Sequence, residues 1–274
     1  MGTLYLVGTP IGNLEDISLR ALRILREAPL IAAEDTRVTG RLLARYDIQA
    51  KLTSYHEHNK LDKLEALLAH LEGDDLALVS DAGMPGLSDP GLELVRAAIE
   101  RGVPVVPIPG PSAVINALVV SGLATDSFLY LGFLPRRPAA RRQLLQEIAH
   151  ERRTLVAYES PHRLIDTLGD IQRIMGGRPV VVARELTKMH EEIVRGVPAK
   201  LLHHFTEQRP RGEITLVIGG GEPTPWDDAQ VAAAIAEKLA SGESPAAAAK
   251  AIAKLSGRSR RELYQLTLKD PAQD

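Results

Sequence analysis

The chain has 274 residues, with 45% hydrophobic and 25% charged, ordinary values for a globular protein with two moderate domains or one plus an appendage. Cysteine is absent, which excludes disulfides, thiolate metal sites and a cysteine nucleophile. The formal charge of −2 excludes a uniformly basic nucleic-acid binder.

No basic segment and apolar core open the chain at Met1–Gly8, and no stretch approaches the ~18 apolar residues of a membrane span. A cytoplasmic protein without a membrane partner is expected. Leu4–Val7 reads as a buried strand, and Ser18 caps a helix carrying Leu19, Leu22, Ile24 and Leu25. Leu30–Ala33 is a second strand, followed by a helix from about Val38 to Tyr46. Leu61, Leu64, Leu67, Leu68 and Leu71 line one helical face. Strands follow at Asp75–Ser80 and Val103–Ile108, with helices around Leu92, Val95 and Ile99 and over Ser112–Ser121. This alternation predicts an α/β fold with a parallel or mixed sheet covered on both faces.

From Ser127 the pattern restarts. Strands are expected at Phe128–Leu131, Thr154–Tyr158, Pro179–Ala183 and Ile214–Ile218, and helices at Ala139–Ala149, Leu164–Met175 and Lys200–Phe205. Beyond a linker at Gly219–Thr224 no strand is expected. Three helices, about Asp228–Ala240, Pro245–Leu255 and Arg258–Leu268, make a helix-turn-helix-like tail or a plain helical cap. The expected domains are 1–122, 123–222 and 223–274.

Four loops at strand ends are rich in Gly, Pro, Ser and Asp: residues 8–13, 34–37, 80–91 and 109–113. Ligands of open α/β sheets bind at such carboxyl ends. No G-x-G-x-x-G or Walker A pattern occurs, and Val114 breaks G-x-S-x-G around Ser112. His56 and His58 have no third ligand spaced to complete a zinc site, so no metal site is expected. Glycines allow a ligand close to the backbone. Asp81 and Asp89 suit a cationic ligand such as a sulfonium better than a phosphate.

In the second half, residues 158–163 (YESPHR), 183–192 (ARELTKMHEE) and 211–213 (RGE) gather acids, bases and cations at strand ends, the composition of an acid–base site or of a salt-bridge network. Residues 136–153 carry a net +4 and residues 250–261 a net +5. Together they hold +9 against a total of −2, which leaves −11 elsewhere. Arg136, Arg137, Arg141, Arg142, Lys250, Lys254, Arg258, Arg260 and Arg261 are the candidate contacts to a polyanion.

The runs GTPIGNLEDISLRAL, AEDTR, SDAGMPGLSDPG, PGPSA, GFLPRR, YESPHRL and ARELTKMHEE, in this order, closely resemble the bacterial 16S ribosomal RNA (cytidine 2′-O)-methyltransferases of the tetrapyrrole methylase superfamily. Met84 departs from the Thr of many relatives, and Val38 from a His. The resemblance implies two α/β domains with S-adenosylmethionine in the cleft between them, a homodimer, and a cytidine of the decoding centre, within the small subunit, as substrate. It places cofactor contacts on Pro10, Ser80, Asp81, Ala82, Gly83, Met84, Pro85, Leu87, Ser112, Ala113, Tyr158, Glu213 and Ile214. A weakly nucleophilic 2′-hydroxyl needs positioning and a base, and Glu34, Asp35, Arg37, His56, Asn59, Glu159, His162, Arg163, Glu185 and Lys188 are the residues expected around the ribose. Glu159 or Glu185 is expected as general base, and Arg37, Arg163 or Lys188 as partner of phosphate or oxyanion. The alternatives are a precorrin-type C-methyltransferase, Mg²⁺-dependent phosphoryl transfer on Asp35, Asp81 and Asp89, and a non-catalytic RNA-binding assembly factor.

Overall fold

The computed structural model describes residues 1–221 and 226–267, the side chain of Lys254 excepted. The expected helix end at Leu268 lies outside the described residues.

The first half is a parallel sheet of β1 (Leu4–Val7), β2 (Leu30–Ala33), β3 (Leu52–Ser54), β4 (Leu76–Val79) and β5 (Val105–Ile108), in the order β3-β2-β4-β1-β5. Successive strand residues point to opposite faces. Ile31, Ala77 and Val79 therefore join a core with α1 (Leu19–Glu27) and α2 (Thr36–Arg45). Ala32, Leu76 and Leu78 join another with α3 (Lys60–Leu71) and α4 (Leu92–Glu100). Ser18 caps α1 as expected, its hydroxyl accepting from the Ala21 amide, an interaction of about 1 kcal/mol.

The second half is a mixed sheet of β6 (Phe128–Phe133), β7 (Thr154–Glu159), β8 (Val180–Arg184), β9 (Glu192–Gly196) and β10 (Ile214–Ile218). Its order is β6-β7-β10-β8-β9, parallel only between β6 and β7. One face is covered by α6 (Pro138–Glu147), α7 (Leu164–Met175) and α8 (Pro198–Glu207). The other face receives α5 (Ala113–Ser121), which follows the last strand of the first sheet. Val114, Ala117 and Leu118 of α5 and Ile11 of the β1 loop pack on Val156, Val181, Ala183 and Val217. This shared core fixes the first sheet's loops against the second sheet.

The tail is α9 (Asp228–Ala240), α10 (Pro245–Ser256) and α11 (Arg260–Thr267), closed on its own core of Val231, Ile235, Ala249, Ile252 and Leu263. Asp227 and Gln230 form a reciprocal capping box at its start. Among the described residues no helix is long and apolar enough to cross a membrane.

Candidate active site

The glycine-rich loops meet one another before they meet any ligand. Thr9 and Gly83 exchange backbone hydrogen bonds of 2.9 and 3.0 Å. A β-carbon on Gly8 would lie 2.7 Å from the Gly110 α-carbon and 2.6 Å from the Met84 sulfur. The expectation that these glycines open the backbone to a ligand is thereby corrected for Gly8 and Gly110: they let two loops cross. Gly12 does the same between the halves, where a β-carbon would strike Lys188, Thr187 and Leu186. The Asn13 amide donates to Thr187 Oγ1 at 3.0 Å across that seam.

These crossings leave a cavity of about 360 Å³ between the two sets of loops, within the range of small-molecule sites. Its lining combines apolar side chains, Ile11, Met84, Leu87, Phe133, Tyr158 and Ile214, with the carboxylates of Glu34, Asp81, Asp89, Glu159 and Glu213. Ser112 and Ala113, at the N-terminus of α5, also face it. No lysine or arginine is among the described residues lining it, which disfavours a phosphate ligand.

Burial raises the pKa values of Glu34 and Asp81 above the usual carboxylate range. Their loops are knitted by the Asp35 amide donating to Asp81 Oδ1 at 2.9 Å and the Asp81 amide donating to Glu34 Oε2 at 3.3 Å. Asp89 is pushed furthest, to about 7, first by burial and then by the charges of Glu34, Asp81 and Glu213, against the opposing hydroxyl of Ser80. Burial also raises Tyr158, whose ring lies edge-on to Tyr130.

Of the residues expected at the cofactor, Asp81, Ala82, Gly83, Met84, Leu87, Ser112, Ala113, Tyr158, Glu213 and Ile214 line this cavity. Pro10, Ser80 and Pro85 do not; all three are buried behind the loops. Ser80 instead turns its hydroxyl to Asp89 and to the Ala82 carbonyl. Asp89, expected beside a cationic ligand, lines the cavity, as do Ile11, Phe133, Ser160, Pro161, Gly212 and Thr215, which were not expected as contacts. All but Thr215 belong to the quoted loops and motifs. What marks them out is their approach from other strands.

The residues expected around the ribose divide further. Glu34 and Glu159 line the cavity; His162 and Arg163 line an adjoining cleft with Phe133, Arg136 and Ser160. Asp35, Arg37, His56, Asn59, Glu185 and Lys188 line neither. Asp35 is the N-cap of α2, accepting from the Arg37 amide at 2.8 Å, with the Arg37 guanidinium folded onto it at 2.6 Å. Arg37 thus pairs with its own helix cap while its side chain stays exposed, and Asp35 is held well below the usual carboxylate range. Asn59 closes the turn after β3, accepting from the His56 amide and donating to Ser54. His56 Nδ1 is buried with no hydrogen-bond partner among the described residues.

Neither expected base is free to act. Glu159 is 2% exposed. Its Oε1 takes the Ser160 amide at 2.7 Å and the Arg163 guanidinium at 2.6 Å, and its Oε2 takes the Thr167 hydroxyl at 2.6 Å. A carboxylate so engaged anchors Arg163. Glu185 Oε1 takes Lys188 Nζ at 2.8 Å and the Glu213 amide at 3.0 Å, contacts that hold its pKa low. Lys188 also reaches Glu213 at 3.0 Å. Glu185 and Lys188 thus brace the Glu213 loop.

Among the expected RNA contacts, Arg136, Arg137, Lys250, Arg260 and Arg261 are exposed and Arg142 is half-buried. Arg141 is a correction. It is 2% exposed and paired with buried Asp170 at 2.8 Å, because it shares the inward face of α6 with Leu145. Arg258 is also internal to the tail, bound to the Trp226 carbonyl, Asp228 and Glu262. The side chain of Lys254 lies outside the described residues.

Residues 3–202 match the model of the tetrapyrrole (corrin/porphyrin) methylases. A protein of Halalkalibacterium halodurans named ribosomal RNA small subunit methyltransferase I is 48% identical over 97% of this chain and 94% of that one. Its namesake from Thermotoga maritima is 49% identical, but there 81% of this chain accounts for 100% of the relative. Among solved structures, the uroporphyrin-III C-methyltransferase of Thermus thermophilus, complexed with S-adenosylhomocysteine, aligns over 80% of this chain and 97% of its own, with 22% identity and a TM-score of 0.57. The chain belongs to the tetrapyrrole methylase family, in the branch whose curated members carry the name ribosomal RNA small subunit methyltransferase I.

Proposed function

We propose that the protein transfers the methyl group of S-adenosylmethionine to the ribose 2′-hydroxyl of a cytidine in the decoding centre of 16S ribosomal RNA. It does so in the cytoplasm, as a homodimer, on the small ribosomal subunit. The observation that carries this reading is a cavity lined by both carboxylates and apolar side chains, beside a cleft with Arg136 and Arg163 with which it shares Phe133 and Ser160.

The residues present fit the cofactor. The apolar side chains suit an adenine, and the carboxylates suit a sulfonium and an ammonium. Ser112 makes no side-chain cap bond, so the first amides of α5 are available to a carboxylate. When bound, S-adenosylmethionine supplies an electrophilic methyl group on a positively charged sulfur. The chain's own task is placement. Arg163 is immobilised by Glu159, Ser160 Oγ and the Leu134 carbonyl, which gives the cleft a fixed positive charge for RNA. Holding the 2′-oxygen in line with the methyl–sulfur bond contributes several kcal/mol, up to about 7–11 in ideal cases. Asp89, with its pKa near 7, is the carboxyl suited to exchange a proton at neutral pH.

Arg136, Arg137, Arg142, Lys250, Arg260 and Arg261 form the RNA-facing set, and residues 1–122, 123–222 and 223–274 are the working domains. Ile115 and Val119 on the exposed side of α5 suit a subunit contact. The named relatives support ribosomal RNA as the substrate class.

The test is transfer of tritiated methyl groups to small subunits from cells lacking the protein, followed by mass mapping. One methyl on one cytidine ribose, blocking alkaline cleavage at its 3′ side, is the expected result. Transfer to uroporphyrinogen III and none to subunits would overturn the reading.

A further inference from the structure

Phe133 stands at the end of β6 as a large aromatic ring 60% exposed to solvent. Exposed aromatics need a reason when they line a cavity, and Phe133 lines two: the cofactor-sized cavity and the adjoining cleft. Its ring is not loose. It rests 5.2 Å from Tyr158, which meets Tyr130 at 5.5 Å, whose hydroxyl in turn bonds Ser88 at 2.7 Å. This aromatic chain backs one edge of Phe133 and leaves the remainder open.

The cleft beside it is cationic. Arg163 is pinned as described, while Arg136 and His162 are exposed and have no ion-pair partner among the described residues. A flat, rigidly backed ring beside arginine side chains is the combination that holds an unstacked nucleobase and its phosphate. Aromatic stacking accepts the base face, and guanidinium groups take the phosphate oxygens. A ribose presented at the mouth of the first cavity carries its base toward the wall that both cavities share.

We propose that Phe133 is the stacking platform for the base of the nucleotide being methylated, with Arg136, His162 and Arg163 holding that nucleotide's phosphate. The ligand is thus a single nucleotide swung out of an RNA strand. This inference rests on the reading of the protein as an RNA ribose methyltransferase.

The experiment compares F133L, F133W and R136A with the full-length wild type. Acceptors are small subunits purified from cells lacking the protein. Affinity for S-adenosylhomocysteine is measured for each variant by calorimetry and the subunit assay is run at saturating S-adenosylmethionine, so that any change in the cofactor cavity is separated from the loss of base stacking. In F133L, kcat/KM for subunits falls about tenfold or more, the scale of one lost base–aromatic contact. F133W restores most of the loss, which a plain apolar wall would not require. R136A raises KM for subunits and flattens its dependence on salt. If wild type methylates subunits and F133L matches it, the stacking proposal is wrong while the broader reading stands. If wild type transfers nothing to RNA, both fall.

Discussion

Asp89 shows how a single residue's role depends on what other strands bring to it. Its sequence context, Ser88-Asp89-Pro90, shows one more acid in an acid-rich loop. Burial and the facing carboxylates of Glu34, Asp81 and Glu213 carry its pKa to about 7, and of these only Asp81 shares its loop. With the folded value above the ordinary 3.8, the folded state holds the extra proton between pH 4 and 7, so this group lowers stability as pH rises across that window and no further above it. D89N is therefore expected to raise Tm at pH 8 and to leave it nearly unchanged at pH 4, as scanning calorimetry would show. A cationic ligand reverses the preference, because it favours the ionised form. Affinity for S-adenosylmethionine is expected to climb from pH 6 to pH 8 in wild type and to be weaker and flat in D89N, giving a more stable protein that binds less well. Arg141 makes the opposite case. It counts toward a basic run, yet it falls four residues before Leu145 on an amphipathic helix, and that spacing was a readable sign of burial. Arg141→Ala is expected to cost about 3 kcal/mol by removing the buried partner of Asp170, which keeps only the longer contacts to Arg142 and Arg173. Urea unfolding reads that loss, and RNA affinity of the folded variant stays unchanged.

At the level of elements, sequence periodicity reveals strands buried on both faces, such as β4 and β10, and also the more exposed β5 and β6, whose apolar runs are longer than those of the strands it misses. The two it misses, β3 and β9, are outer strands of their sheets. β3 has three residues, and β9 carries Glu192 and Arg195, the short length and charge that edge strands use against unwanted pairing. Their patterns are weak because short length or charge adds to incomplete burial. The start of α2 shifts for another reason: Asp35 looks like a site residue in the run AEDTR, but its geometry is that of a cap. The four loops were legible as a pocket because glycine and proline cluster there, whereas the purpose of each glycine was not. Gly110 lies against Gly8 backbone to backbone, so G110A forces main-chain movement at the cavity rim. It is expected to lose about 1–3 kcal/mol together with cofactor affinity. Gly73 has open space around its α-carbon, so G73A is expected to fall within about 0.5 kcal/mol of wild type. Denaturant titration of the pair separates a crossing glycine from an ordinary turn glycine.

The whole molecule divides its charge and its labour. The cavity draws its acids from both sheets, while Arg136 stands exposed at the cleft and Arg260 and Arg261 on the tail. A net charge of −2 conceals this because the two populations nearly cancel. The tail's independence has two supports. Its core is made of its own residues, and the Thermotoga maritima relative is matched end to end by 81% of this chain, about what the two sheets and their helices amount to. On the proposed reading the chemistry belongs to the two α/β halves, and the tail adds grip on RNA. Deleting residues 225–274 is expected to leave cofactor affinity and single-turnover transfer at saturating subunits close to wild type. RNA affinity falls, and the slope of log K against log salt becomes shallower by about 2, the effect of losing three cations such as Lys250, Arg260 and Arg261 at ~0.7 per phosphate contact. Filter binding across a salt series measures both quantities. An unchanged slope would assign the tail's cations to solvent, and a lost single-turnover rate would place part of the active site on the tail.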